Sequence, residues 1–105
     1  MVKPLSNDQK ILNLLGLATR ARAIVFGEDQ ILKVIRSKEA KLVLLASDIG
    51  TNTKKSLTDK SHHYGIPCVT FVEEALLSQA VGKSRRVAVA ITDQGFAKKI
   101  VSLLD

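Results

Sequence analysis

Three apolar runs constrain this chain more than any other feature: "KLVLLAS" (41–47), "CVTFV" (68–72) and "RVAVAI" (86–91). Each has the length of a strand and little of the polar alternation of a half-solvated one, so each reads as a strand buried on both faces. A shorter run, Ala23 to Phe26, reads as an edge strand. Between these runs lie segments with helical signals. Ser6 to Gln9 is a capping box, with Pro4 placed harmlessly upstream, and Ile11, Leu14, Leu15 and Ala18 recur at helical spacing, predicting a helix over residues 7–19. Gly16 inside it weakens the helix by up to about 1 kcal/mol, which implies close packing by another element.

Gly27 opens a second helix. Glu28 and Asp29 complement its dipole, Ile31, Leu32 and Ile35 form its apolar face, and Arg36 and Lys38 suit its end. "DIGTNT" is turn and cap chemistry, and a polar third helix is expected from about Thr53 to Tyr64, stopped by Gly65 and Pro67. A short helix from Glu73 to Val81 closes at Gly82, and Thr92 or Asp93 caps a last helix reaching about Leu104. Helices alternating with buried strands predict an α/β fold, a three-layer α/β/α sandwich, in one domain spanning residues 1–105.

Composition narrows the function. The formal charge is +6 over 105 residues, which favours a polyanionic partner. Aromatic residues make up only 4% and Trp is absent, which argues against modules that stack bases on exposed rings. Cys68 stands alone, so no disulfide framework exists, and a reducing, cytoplasmic setting is expected. No apolar run approaches the roughly 20 residues of a membrane span, and no membrane partner is expected. A monomer is expected, since no unusual apolar patch can be read.

Catalytic chemistry finds no set of residues. There is no P-loop, no GxGxxG and no paired-cysteine spacing, so neither cofactor nor metal is implied. His62 and His63 are adjacent on a predicted helix and point about 100° apart, so they cannot grip one ion together. Asp48, Glu73, Glu74 and Asp93 head helices, where capping explains them. Cys68 sits among apolar neighbours, where a thiol is inert. The basic residues are uneven: Arg20 and Arg22, Lys54 and Lys55, and Lys83, Arg85 and Arg86 fall at element ends, where they can converge on one edge of a sandwich. Lys98 and Lys99 read as the solvated face of the last helix.

The blocks "AKLVLLASD", "NTKK", "GIP" and "VAVAITDQGFA", in this order along nearly the whole chain, resemble the kink-turn-binding ribosomal proteins of the L-seven-Ae and L-thirty-e types, most of all their small bacterial YlxQ-like branch. The resemblance implies a mixed four-stranded sheet and non-catalytic binding of a bent, structured RNA with tandem sheared G·A pairs. That RNA would be a kink-turn or other internal loop, ribosomal or otherwise translation-associated, and the ribosome itself is a candidate partner.

The family's "GxNExxK"-like segment corresponds here to Gly27, Asp29, Gln30 and Lys33, with Glu28 between them. By the same resemblance, Gly27 lets the backbone approach the groove, Lys33 meets a phosphate or guanine edge, and Gln30 hydrogen-bonds a base. Asp29 stands where better-known members carry Asn, and Gln30 where they carry Glu. The loop Gly82 to Arg86, with Lys83, Ser84, Arg85 and Arg86, is implied to shelter a flipped-out nucleotide, and Thr53 and Lys54 to join the same rim. A protein–protein module on the same fold, without RNA, is the alternative reading.

Overall fold

The computed structural model describes residues 5–104, and Pro4 lies outside the described residues. Five helices and four strands follow one another as α1 (Asn7–Arg20), β1 (Ile24–Phe26), α2 (Glu28–Arg36), β2 (Leu42–Leu45), α3 (Thr51–His63), β3 (Cys68–Thr70), α4 (Glu74–Val81), β4 (Ala88–Ile91) and α5 (Gln94–Leu104). The strands form one mixed sheet in the order β1-β4-β2-β3. β4 is antiparallel to both β1 and β2, while β2 and β3 are parallel.

The period-2 alternation of strand side chains divides the core into two layers. Leu42, Leu44, Val89 and Ile91 pack with Ile11, Leu15, Leu77 and Ile100, under α1, α4 and α5. Val43, Leu45, Ala88 and Ala90 pack with Ile31, Ile35 and Leu57, under α2 and α3. The predicted three-layer sandwich is therefore present. On the second face β4 offers only alanines, so α2 can lie close above it.

Local signals account for several helix ends. The Gln9 backbone N–H donates to Ser6 Oγ and the Ser6 N–H to Gln9 Oε1, both at 3.2 Å, completing the expected capping box. Asp93, not Thr92, caps α5: its Oδ1 accepts the Phe96 N–H at 2.9 Å. Gly65, with φ of +71°, takes the left-handed turn that ends α3.

Other boundaries differ from expectation. α3 begins at Thr51, not Thr53, because Gly50 already supplies the first helical carbonyl, to the Lys54 N–H. β3 is an edge strand with Thr70 exposed, so "CVTFV" is not the doubly covered strand its composition suggested. Asp48 does not cap the helix that follows it. Its carboxylate accepts the Glu74 N–H at 2.8 Å and so caps α4, 26 positions away.

A methyl group placed on Gly16 would lie 3.3 Å from the Ala80 carbonyl oxygen, so α1 and α4 touch where sequence reading expected close packing. Gly16→Ala gains about 0.5–1 kcal/mol of helix propensity against this tight contact. We expect it to change stability by less than about 1 kcal/mol, whereas Gly16→Val costs about 2 kcal/mol by forcing the helices apart. Urea unfolding of both variants measures the difference.

Candidate RNA-binding site

Topology decides which loops meet. β1, β2 and β3 run in one direction and β4 in the other, so the C-terminal ends of the first three lie beside the start of β4. That edge therefore carries the N-termini of α2, α3 and α4 and the loop 82–87. There a depression of about 170 Å³ is lined by Gly27, Glu28 and Ile31 of the α2 start, Thr53 and Leu57 of α3, and Arg85, Arg86, Val87 and Ala88. Two segments more than fifty positions apart in sequence share this one small concavity.

The α2 end is open for a ligand. Gly27 has φ of +84°, a conformation that favours glycine, and no side chain caps the helix. The first helical bond runs from the Ile31 N–H to the Gly27 carbonyl. The N–H groups of Glu28, Asp29 and Gln30 therefore have no partner within the helix, and they point out of a positive dipole end. α3 likewise starts at a glycine, Gly50, without a side-chain cap.

The basic loop is held in place by its own backbone. Gly82 closes α4 in the left-handed conformation, and the Lys83 N–H donates to the Ser78 carbonyl at 3.1 Å. Buried Ser78 also accepts the Arg86 N–H through Oγ at 2.8 Å and donates to Glu74 Oε1 at 3.3 Å. The Arg86 guanidinium lies 5.1 Å from the centre of the Phe26 ring, and Arg86 Nε is buried without a hydrogen-bond partner. Such cation–π contact fixes a flat cationic surface beside Gly27. Arg85 is exposed and has φ of +56°, an uncommon conformation for a residue with a Cβ.

Of the residues anticipated from sequence, Gly27, Glu28, Thr53, Arg85 and Arg86 line the depression. Asp29, Gln30, Lys33, Lys54, Lys83 and Ser84 are exposed and do not. Lys33 is exposed, on the outer face of α2 opposite buried Ile31 and Ile35. The apolar wall of Ile31, Leu57, Val87 and Ala88 and the ring of Phe26 escaped sequence reasoning, because a pocket wall and a core residue look alike in sequence.

Charge on this edge is mixed at α2 and divided elsewhere. Lys33, Lys54, Lys55, Lys83, Arg85 and Arg86 belong to α2, α3 and the loop, with Glu28 and Asp29 among them in the first turn of α2, while Asp48, Glu73 and Glu74 belong to the β3 and α4 side. Arg20 and Arg22 precede β1 and so lie away from the site, correcting the expectation that all the loop-end cations can share one edge.

The wider depression between α1 and α4, about 510 Å³, is lined by Leu12, Leu17, Leu76 and amides, with Arg20 its one charge. Among the described residues no three His, Cys, Asp or Glu side chains cluster as a metal site would require, and no helix is long and apolar enough to cross a membrane. Burial pushes the Cys68 thiol above its usual 9.0, with the Ser61 and Thr58 hydroxyls pulling partly back.

The fold and this edge place the chain in a known class. The ribosomal protein L7Ae/L30e/S12e/Gadd45 family matches residues 9–101, and the chain belongs to that family. Within it, a Bacillus subtilis strain 168 protein named RNA-binding protein YlxQ is 53% identical over 92 residues, 88% of this chain and 92% of its own. An Enterococcus faecium protein of the same name is 44% identical over 99 residues, covering 94% and 95%. A solved structure from Bacillus halodurans C, described as a protein with unknown function, superposes with a TM-score of 0.88 at 43% identity, over 91% of this chain and 97% of that one. The Giardia lamblia 15.5kD RNA binding protein shares the fold, with a TM-score of 0.79 at 20% identity over 97% and 88%.

Ser78→Ala leaves the half-buried Arg86 N–H without its acceptor, and we expect a loss of about 1–2 kcal/mol in thermal or urea unfolding. Because the folded thiol ionises later than the unfolded one, stability is unaffected by Cys68 at neutral pH and declines as pH rises beyond about 9. Cys68→Ala removes that alkaline decline, which a pH series of melting curves reads directly.

Proposed function

We propose that this protein binds a bent, kink-turn-like structured RNA, ribosomal or otherwise translation-associated, as a cytoplasmic monomer and without catalysis. The observation that carries this reading is the open α2 N-terminus at Gly27, facing Arg85 and Arg86 across one depression. Unpaired amides at a helix N-terminus suit phosphates or base acceptors, and guanidinium groups in the same rim neutralise the backbone that must bend there. The names of the bacterial relatives, RNA-binding protein YlxQ, support the same reading.

Each part of the edge has a task. Gly27 brings the backbone of α2 close to the groove, since nothing lies within 4 Å of where its Cβ would be. Asp29 and Gln30 present short polar groups beside the free amides, and Lys33 and Lys54 reach phosphates on either side. The depression itself, with aliphatic walls and Arg86 over Phe26, suits one unstacked nucleotide, and Lys83, Ser84 and Arg85 close over it. Its dimensions favour shape over sequence as the property read.

Titration of a kink-turn RNA and a straight duplex over a salt series tests the proposal. The bent RNA is expected to bind more tightly, with log K falling against log salt at a slope of roughly −3 if about four cations meet phosphates. Lys33→Ala and Arg85→Ala are each expected to weaken the bent RNA by about 1–3 kcal/mol, by analogy with base-edge contacts on DNA. Equal affinity for both RNAs removes the shape-specific reading, unchanged affinity in both variants removes the mapped site, and failure to bind either RNA favours a protein-binding role for the fold.

A further inference from the structure

We infer that the opposite edge of the sheet is a second polyanion-binding surface, which holds the phosphate backbone of an A-form RNA duplex while the first edge holds its bent RNA. The inference rests on the reading of the chain as an RNA-binding protein but uses none of the residues of the first site.

Its groups come together at the start of β1 and β2. Ile24 and Leu42 both pair with Ile91 of β4, from opposite sides. Arg22 and Lys41, just before them, therefore leave the sheet about two strand spacings, roughly 10 Å, apart. The Lys41 Nζ donates to the Lys38 carbonyl at 3.2 Å, which sets the Lys41 ammonium against the Lys38 backbone. Lys41 and Lys98 line one open depression of about 320 Å³ beside α5. The acids nearby are Glu39, which is exposed, and Asp93, whose Oδ1 is engaged by the Phe96 N–H.

The backbone marks two of these cations as unusual. α1, α2, α3 and α4 are each followed by a residue in the left-handed conformation. After α3 and α4 it is Gly65 and Gly82, as sterics favour, but after α1 and α2 it is Arg22 at φ +57° and Lys38 at φ +62°. Helix dipoles do not require cations there, because Arg20 and Arg36 already end the two helices in ordinary conformation. A strained cation on each of two helices, both at one edge, has its use in what the charge meets.

That ligand is a nucleic-acid backbone and not an acidic protein surface. The exposed sequence neighbours of Arg22 and Lys38 are Ala21, Ser37 and Glu39, and the large exposed apolar side chain of this edge is Val101, beside Lys98, with no aromatic ring near it to anchor a protein interface. Long cations in an open row match phosphates without reading bases, which is how proteins position themselves on a duplex.

The test uses the full chain, a labelled plain duplex of about two helical turns, and a kink-turn RNA. With the kink-turn RNA at saturation, the native protein is expected to bind the duplex as well, giving a ternary complex. Arg22→Gly with Lys38→Gly should weaken the duplex about tenfold and make its salt slope shallower by about 2. The same variant should keep kink-turn affinity within about twofold and melt no lower than the native protein, because glycine relieves the left-handed strain. Lys41→Gln with Lys98→Gln should show the same loss without touching either left-handed residue.

Unchanged duplex affinity in both far-edge variants overturns the inference, and so does one-for-one displacement of duplex by kink-turn RNA. A native protein that binds no duplex overturns it too, as an edge serving an acidic protein would give. If the bent RNA itself fails to bind, the duplex arm still decides, because Arg85→Ala leaves the far edge intact.

Discussion

The pairing of β4 between β1 and β2 is the constraint on which the rest depends. One strand running against two others puts the start of β4 beside the ends of β1 and β2, and every residue of β2 and β4 is buried. Register follows from burial: a slip of one residue would exchange Val89 and Ile91 for Ala88 and Ala90 on both faces at once. That exchange would leave a hole under α1 and a clash under α2. The small and large residues of β4 thus fix the height of α2 above the sheet, and with it the place of the Gly27 amides relative to the loop 82–87.

The two sheet ends then differ in kind. One end carries the starts of α2 and α3, with free amides, the capped start of α4 and the basic loop that follows its end. The other carries the ends of α1, α2 and α3, the cations that follow the first two, and the Asp93-capped start of α5. Asp48 explains why α4 is not part of the open site: its carboxylate occupies the first amide of that helix and brings negative charge to the β3 side. The cations of this edge are accordingly confined to α2, the α3 start and the basic loop, where Glu28 and Asp29 stand among them.

Much of this was legible in the sequence, for reasons that can be traced to particular residues. The capping box at Ser6, the glycine stop at Gly65 and the buried run at 42–45 are local signals, and the structure contains each of them. The exposure of β3 was not legible, because an edge strand and a central one can share a composition. Asp48 was misassigned because its partner is 26 residues away. At the site, the meeting of Gly27 with Arg85 and Arg86 was expected from family likeness, and the cation row behind Arg22 was not separated from it. Arginine carries no signature of a left-handed backbone, so the strain at Arg22 and Arg85 became visible only with the fold.

The anchoring of the basic loop has a bearing on how such a surface can diversify. Ser78 grips the segment at both its beginning and its end, through the Lys83 and Arg86 amides, and neither grip involves the side chains at the tip. Posture and chemistry are thereby uncoupled at residues 83–85. Side chains there can be exchanged to suit a different ligand while the turn that presents them keeps its shape, so the scaffold can be retargeted without being rebuilt.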